Sequence, residues 1–482
     1  MKETDKSNSI RRTLQAVLDE LGHTSDLSSR ECRIGAEQIP VLVLWIDGMI
    51  NNQALNENVI TPLITGYQTL PVSEREFVSI PFLCRSILTA TEVTVIDNLD
   101  QAVQLLVCGS AIVVVEGCPE MIAANTQGYE IRSIEEPASS TVIRGPRDGF
   151  VESLGVNISL IRRRVRSKWV RVEILTVGNI SQTKVAMIFM HDRAAPQIVN
   201  EVRRRLQSID IDAVLESEYI EEIIKDHPGS FFPTVYSTER PDDIAGVILE
   251  GRVALIVDGT PFALVLPCTL FHLLKTTEDL YLAYPIATFI RWIRFLGFWF
   301  TLLLPSVYVG VLTFHPEMIP PQLLSSILSA RDGVPFPVLM EALLMELTFE
   351  GLREASIRMP RSIGSAISIV GALVIGESAV KAGLISSPAV IVVAGTAIAS
   401  FTIPSISLSG TIRILRFGML IFASVLGLYG IIIALFMLGI HLTSMKSVGM
   451  PYMAPFAPYR KQEGLKAMLR MPWWILSHRR RR

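Results

Sequence analysis

The sequence predicts an α/β cytosolic region of two related subdomains, followed by an all-α multi-span membrane domain and a short basic C-terminal tail. Three observations predict it. The front half alternates strand and helix signals, and it contains a gapless internal repeat. The back half carries three tracts free of charged residues, at 295–314, 382–412 and 417–440. A bilayer core about 30 Å thick needs roughly 20 apolar residues of helix to cross it. Such a helix closes its backbone hydrogen bonds within itself, so each tract qualifies as a span.

The bulk numbers agree with a split chain. Hydrophobic content is 50% and mean hydropathy +0.41, high for a soluble protein and low for an all-membrane one. A net charge of −2 points to no particular partner. The start, MKETDKSNSIRRTLQAVLDELG, has no apolar core of a signal peptide, so the first span is expected to insert the chain and leave the front half cytosolic. Five cysteines, Cys32, Cys84, Cys108, Cys118 and Cys268, show no CxxC spacing and read as reduced core thiols.

Taken in order, residues 1–34 form an arm whose helix carries Ile10, Leu14, Val17, Leu18 and Leu21 on one face and stops at Gly22. The first subdomain, 35–150, opens with the strand VLVLWID (41–47), followed by a helix around NQALNENVITPLI. A helix from Asp100 to Val107 then leads into the strand in GSAIVVVEG (109–117). The second subdomain, 151–285, repeats this plan. DQAVQLLVCGSAIVVVEGCP (100–119) aligns without gaps on DDIAGVILEGRVALIVDGTP (242–261), matching Gly109 with Gly251, Glu116 with Asp258, Gly117 with Gly259 and Pro119 with Pro261. At a nearly equal offset VLVLWID pairs with VAMIFMHD (185–192).

Between the repeats lies a basic run, Arg162, Arg163, Arg164, Arg166, Lys168 and Arg171. A nucleic-acid reading would want such charge interleaved with aromatics. Only Trp169 answers, and a solvated face or a contact paired with acids is the better reading. No phosphate-binding glycine loop, HExxH, nucleophile elbow or kinase signature occurs, and the seven histidines lack ligand spacing. Asp47, Asp192 and Asp258 stand at strand ends, where acids commonly cap turns. The chain therefore does not read as an enzyme, and no cofactor or metal is expected.

The membrane domain is placed at 286–445, with four or five spans, and the tail at 446–482. Within PFPVLMEALLMELTFEGLREASIRMPR (335–361), Glu346, Glu350, Glu354 and Arg358 share one helical stripe at four-residue steps, with Glu341 off it. Carboxylates in hydrocarbon are expensive, so the stripe needs water, a counter-charge or a passing cation. Two readings follow. Helices from several subunits ring an aqueous path, making Glu346, Glu350, Glu354 and Glu341 pore or gating candidates. Alternatively the stripe pairs with Arg353, Arg358 and Arg361 and holds the bundle together. Glu377 and Lys381 read as an intrahelical pair. Small residues from Gly364 to Ser400 permit close helix packing. The tail holds Trp473, Trp474 and the run Arg479 to Arg482, which suits an anionic membrane surface on the inner side.

Ordered segments across nearly the whole chain carry a resemblance. They include DLSSR (26–30), RGPRDGFVESLGVNISLIRRR (144–164), ERPDDIAGVILEGRVALIVDGTPFALVLP (239–267), HPEMIPPQLL (315–324), FEGLREASIRMP (349–360), IPSISLSGTIRILRF (403–417) and PYMAPFAP (451–458). The chain resembles the GerA spore germination proteins, A subunits of bacterial spore germinant receptors. The resemblance implies a place in the inner membrane of the dormant spore, with a cytosolic N-terminal region. It also implies work with a transporter-like B subunit that binds nutrient and a lipoprotein C subunit. Homo-oligomerisation, as a pentamer, into a channel releasing monovalent cations is implied too. It assigns no pore residue. A membrane-anchored scaffold or signalling subunit, and a secondary transporter built on inverted repeats, are the alternatives.

Overall fold

The computed structural model describes residues 7–35, 38–66, 79–128, 144–358 and 376–477. Arg361, Gly364, Ser365, Gly371 and Arg479 to Arg482 lie outside them. The chain divides into two compact units, residues 1–228 with 235–267, and residues 229–234 with 268–482.

The first unit is built on two five-stranded sheets. Helix α1 (Ser7–Leu21) precedes β1 (Leu27–Ile34), β2 (Ile39–Ile46), β3 (Val93–Ile96), α2 (Leu99–Val107), β4 (Ser110–Val115) and β5 (Met121–Asn125). Helix α3 (Leu154–Arg164) leads to β6 (Val170–Val177), β7 (Thr183–Met190), α4 (Pro196–Gln207), α5 (Ser217–Ile224), β8 (Tyr236–Thr238), α6 (Pro241–Leu249), β9 (Val253–Val257) and β10 (Ala263–Leu266). The sheets run β1-β2-β4-β5-β3 and β6-β7-β9-β10-β8, the same order shifted by five strands. The internal repeat of the sequence thus coincides with a repeated strand order. Gly109 and Gly251 occupy equivalent helix exits at φ of 97° and 91°, backbone that costs a side-chain-bearing residue strain.

Both faces of each central strand are buried, which is why VLVLW and AIVVV read as continuous apolar runs. In the first sheet Val41 and Val43 face one core, with Leu55, Leu83 and Val113. Leu42, Leu44 and Ile46 face the other, against Val17 and Leu21 of α1 and Val103 and Leu106 of α2. Residues 27–34 were assigned to the arm by sequence. They are instead an edge strand, pairing Leu27 with Ile46 through Ile34 with Ile39. The polar run SSREC hid it, because an edge strand needs apolar residues on only one face.

Three members of the basic run, Arg162, Arg164 and Lys168, pair with acids within this unit. Arg162 is fully buried, with Nε donating to Asp26 Oδ2 at 2.8 Å and Nη2 to Asp26 Oδ1 at 2.9 Å and Thr24 Oγ1 at 3.1 Å. Arg164 pairs with Asp148, and Lys168 reaches Glu20 at 2.8 Å and Asp100 at 3.0 Å.

The second unit is helical: α7 (Tyr284–Phe314), α8 (Pro321–Arg331), α9 (Val338–Arg358), α10 (Ser387–Ser400), α11 (Ile406–Ser444), α12 (Lys461–Met468) and α13 (Trp473–Ser477). Among the described residues two helices, α7 and α11, have the length and composition of membrane spans. The uncharged tract 382–412 is no single helix. It breaks between α10 and α11, where Pro404 cannot continue a helix. The 14 residues of α10 reach about 21 Å, short of a bilayer core.

Nor does 417–440 cross as one rod. Helix α11 breaks at Gly427, whose φ of 61° and ψ of −139° are not helical. A Cβ on Gly430 would lie 2.1 Å from the Phe422 carbonyl oxygen, eight residues back. Thr411 Oγ1 donates to Phe231 O at 2.5 Å, while Ser230 Oγ lies 2.8 Å from His441 Nε2. In a straight helix Thr411 and His441 would stand about 45 Å apart. They touch adjacent residues, so α11 is a helical hairpin of segments 406–426 and 428–444. Its tip meets the C-terminal end of α7, where a Cβ on Gly427 would come within 2.9 Å of Phe314 and His315. The tail returns to the other end of α7: Arg470 N donates to Thr288 Oγ1 at 3.2 Å, and Arg291 Nη1 to Lys466 O at 3.3 Å.

Candidate functional site

Helix α9 carries the charged stripe. Its Leu, Met, Glu and Ala content favours helix, and Glu341 N closes the first turn on Pro337 O at 3.1 Å. One face of it packs on α7, α10 and α11. Glu341 and Glu346 are fully buried.

The acids divide among several partners, two of them sharing one arginine. The Glu341 carboxylate accepts the backbone N–H of Ser386, the residue capping α10, and stands 3.7 Å from Arg331 of α8. A carboxylate at a helix start is favoured by its free N–H groups and dipole. Glu346 lies 2.7 Å from Arg416 Nη2 of α11. Glu350 takes Arg416 Nη2 on one oxygen and Arg413 Nη1 on the other, both at 3.1 Å. Glu354 is exposed and pairs with Arg358 at 2.7 Å along the helix. The exposed pair Glu377–Lys381 closes at 2.6 Å.

The structure therefore brings Glu346 and Glu350 together in one cluster and leaves Glu341, Glu354 and the Glu377–Lys381 pair outside it. The cluster's counter-charges are Arg413 and Arg416, from another helix, which the charge pattern of α9 alone does not reveal. Their i, i+3 spacing immediately before an uncharged run was the available signal. Arg353 joins the cluster's field, its guanidinium 6.0 Å from the Phe401 ring and its Nη1 buried without a hydrogen-bond partner among the described residues.

Away from the helices, Glu221 on α5 is 2% exposed. Burial first, then the neighbouring Glu218, pushes its carboxyl up to about 7, against the pull of Lys225 at 3.6 Å. Burial also raises the thiols of Cys32, Cys84 and Cys118, which makes them poor nucleophiles.

Fold and site together define a protein with a duplicated α/β unit and a helical unit that carries candidate membrane spans around a buried ion cluster. Residues 15–482 match the family described as Bacillus/Clostridium GerA spore germination protein. The chain belongs to that family. Spore germination protein KA of Bacillus subtilis is 42% identical over 469 residues, covering 97% of this chain and 85% of the relative. Spore germination protein GerLA of Bacillus cereus is 37% identical, covering 97% and 94%. The crystal structure of the N-terminal domain of the A subunit of the Bacillus megaterium germinant receptor GerK3 aligns with 53% of this chain and 92% of its own, at 29% identity and a TM-score of 0.42.

Proposed function

We propose that this chain is the A subunit of a nutrient germinant receptor, and that several copies form a ligand-gated channel releasing monovalent cations from the spore. It acts there with a transporter-like B subunit and a lipoprotein C subunit, as a pentamer in the inner spore membrane. Family membership over the whole chain supports the receptor role. One observation carries the conduction role: acidic side chains of α9 are paired with arginines of α11, a helix with the composition of a membrane span, and Glu346 is fully buried there. Ionisable groups within a membrane bundle are a recurrent mark of ion paths and gates.

Two further features support a multi-pass placement. Helix α7 and both limbs of the α11 hairpin expose large apolar residues, among them Phe289, Phe300, Ile421, Tyr429 and Phe436. At one end of α7, Trp474 packs edge-on against Tyr284 at 5.7 Å, and Arg470 lies 5.1 Å from the Trp473 ring. Aromatic and cationic side chains of this kind gather at the membrane–water interface. The hairpin returns the tail to the end at which α7 begins, which supports a cytosolic position for both.

A specific observation favours the runner-up, a scaffold or signalling subunit that does not conduct: Glu341, Glu346 and Glu350 are all engaged within one protomer. Reconstitution separates the two. The full chain with its B and C subunits, in vesicles loaded with K+, is challenged with a pool of amino acids, nucleosides and sugars. Conduction predicts K+ efflux that falls several-fold in Glu350→Gln. Efflux that needs the B subunit but is indifferent to this chain would refute it.

A further inference from the structure

The ion cluster between α9 and α11 has an imbalance that its partners do not explain. Two carboxylates, Glu346 and Glu350, face three guanidiniums, those of Arg353, Arg413 and Arg416. Its formal charge is positive, so it repels the monovalent cations that the channel reading asks it to pass. Arg416 is 1% exposed, and its Nη2 reaches both carboxylates at once. Arg413 takes the remaining oxygen of Glu350. Three of the four carboxylate oxygens of Glu346 and Glu350 thus already stand against a guanidinium of the chain.

We infer that Arg416, assisted by Arg413, is a tethered counter-ion. It occupies the carboxylate positions that permeating monovalent cations would take, and so plugs the path while α9 and the 406–426 limb of α11 stay together. The inference rests on the channel reading above and supplies its gate.

The physics of buried ion pairs suits a gate. Removing one partner strands a buried charge, which is strongly unfavourable. Parting both into water restores hydration to each, so the pair resists single loss yet separates readily once water enters. On separation the helix presents Glu346 and Glu350, one turn apart, to the incoming water. A cation can then replace the guanidinium. Glu341 takes no part, because its carboxylate is fixed on the start of α10. Glu354 takes none either, since it is exposed and paired along its own helix.

The test measures basal efflux, before any nutrient, from vesicles holding the full chain with its partner subunits. Arg416→Gln is expected to raise basal K+ efflux about tenfold while chloride stays trapped, through a population shift toward the open arrangement. Arg416→Lys keeps a tethered cation and is expected to stay near the wild-type baseline. Arg413→Gln, at a position about a quarter exposed and far less able to disturb folding, is expected to leak by about threefold. A leak that passes chloride as readily as K+ would mean a disrupted bundle and would overturn the inference. Stimulated efflux in the wild type, with no rise in either glutamine variant, would overturn the plug and leave the channel standing. If neither the stimulated wild type nor any arginine variant passes K+, the channel reading and the plug fall together.

Discussion

The Arg162–Asp26 pair ties the two subdomains together, and its removal has a calculable consequence. Asp26 stands just before β1 in the first subdomain, while Arg162 is on α3 in the second. Side-chain exposures are 0% for Arg162 and 4% for Asp26, so solvent screens the pair very little. Arg162→Met keeps the apolar stem and deletes the charge, leaving the carboxylate buried with the Thr24 hydroxyl at 2.5 Å and only the more distant field of Arg171 as counter-charge. Breaking one side of a buried pair costs about 3–5 kcal/mol. That energy corresponds to amide exchange faster by roughly two to nearly four orders of magnitude across 20–34 and 154–172, wherever exchange follows opening of this contact. Hydrogen exchange read peptide by peptide in the detergent-purified full chain isolates this region from the helices. The double change Asp26→Leu with Arg162→Met is expected to recover most of the loss, since apolar replacement of a whole buried pair is near neutral. Acceleration below about fivefold in the single variant, equivalent to less than 1 kcal/mol, would refute the assignment of the pair as the tie.

Other outcomes follow from the same geometry. Gly427→Ala puts a Cβ within 2.9 Å of Phe314 and His315 at a φ of 61°, so thermal stability should drop by the equivalent of about 1–3 kcal/mol; an unchanged melting curve would show that α11 does not need its tip. Glu221 has a folded value near 7 against an ordinary 4.5, so its contribution is fully present below about pH 4.5 and is lost as pH rises through 7, to about 3 kcal/mol. Glu221→Gln should flatten the stability–pH profile between pH 5 and 8, and a slope retained in that variant would reject burial of this group as its source. Glu354→Gln and Lys381→Gln remove exposed ion pairs and should each move stability by less than about 0.5 kcal/mol in the same assay.

The α/β repeat was legible because its signals are local. A five-residue apolar strand bounded by Gly, acid, Gly and Pro declares itself within twenty residues, and copying it twice makes chance agreement improbable. Strand β1 was missed for the opposite reason: its residues 28–31 are polar and half-exposed or exposed, and only the register of Ser28, Ser29 and Arg30 with Trp45, Leu44 and Val43 reveals a strand. Hydropathy likewise found apolar tracts without seeing how they bend. Nothing in 417–440 except two glycines three apart marks a reversal, and glycine in a membrane helix more often signals close packing. The reversal shows only in three dimensions, where Phe422 backbone lies against Gly430 and the tip is closed by Phe314 and His315.

The acidic stripe shows where local periodicity ends. Four-residue spacing identifies which side chains share a face, and it correctly joins Glu354 to Arg358. It has no access to a partner on another helix, so it offered Arg353, Arg358 and Arg361 to all the glutamates alike. The choice between them is made by depth. Glu354 lies near the helix end, where water shields it, and a flexible neighbour suffices. Glu350 and Glu346 lie about one and two turns further in, where an unpaired charge is not tolerated. Only a cation held at the same depth by a rigid neighbour can answer them. Arg416 is such a residue, a full turn and more into α11 and closed over by packing. A stripe of like charge that crosses from solvent into an apolar bundle thus implies partners of two kinds, and the inner kind must come from the helix beside it.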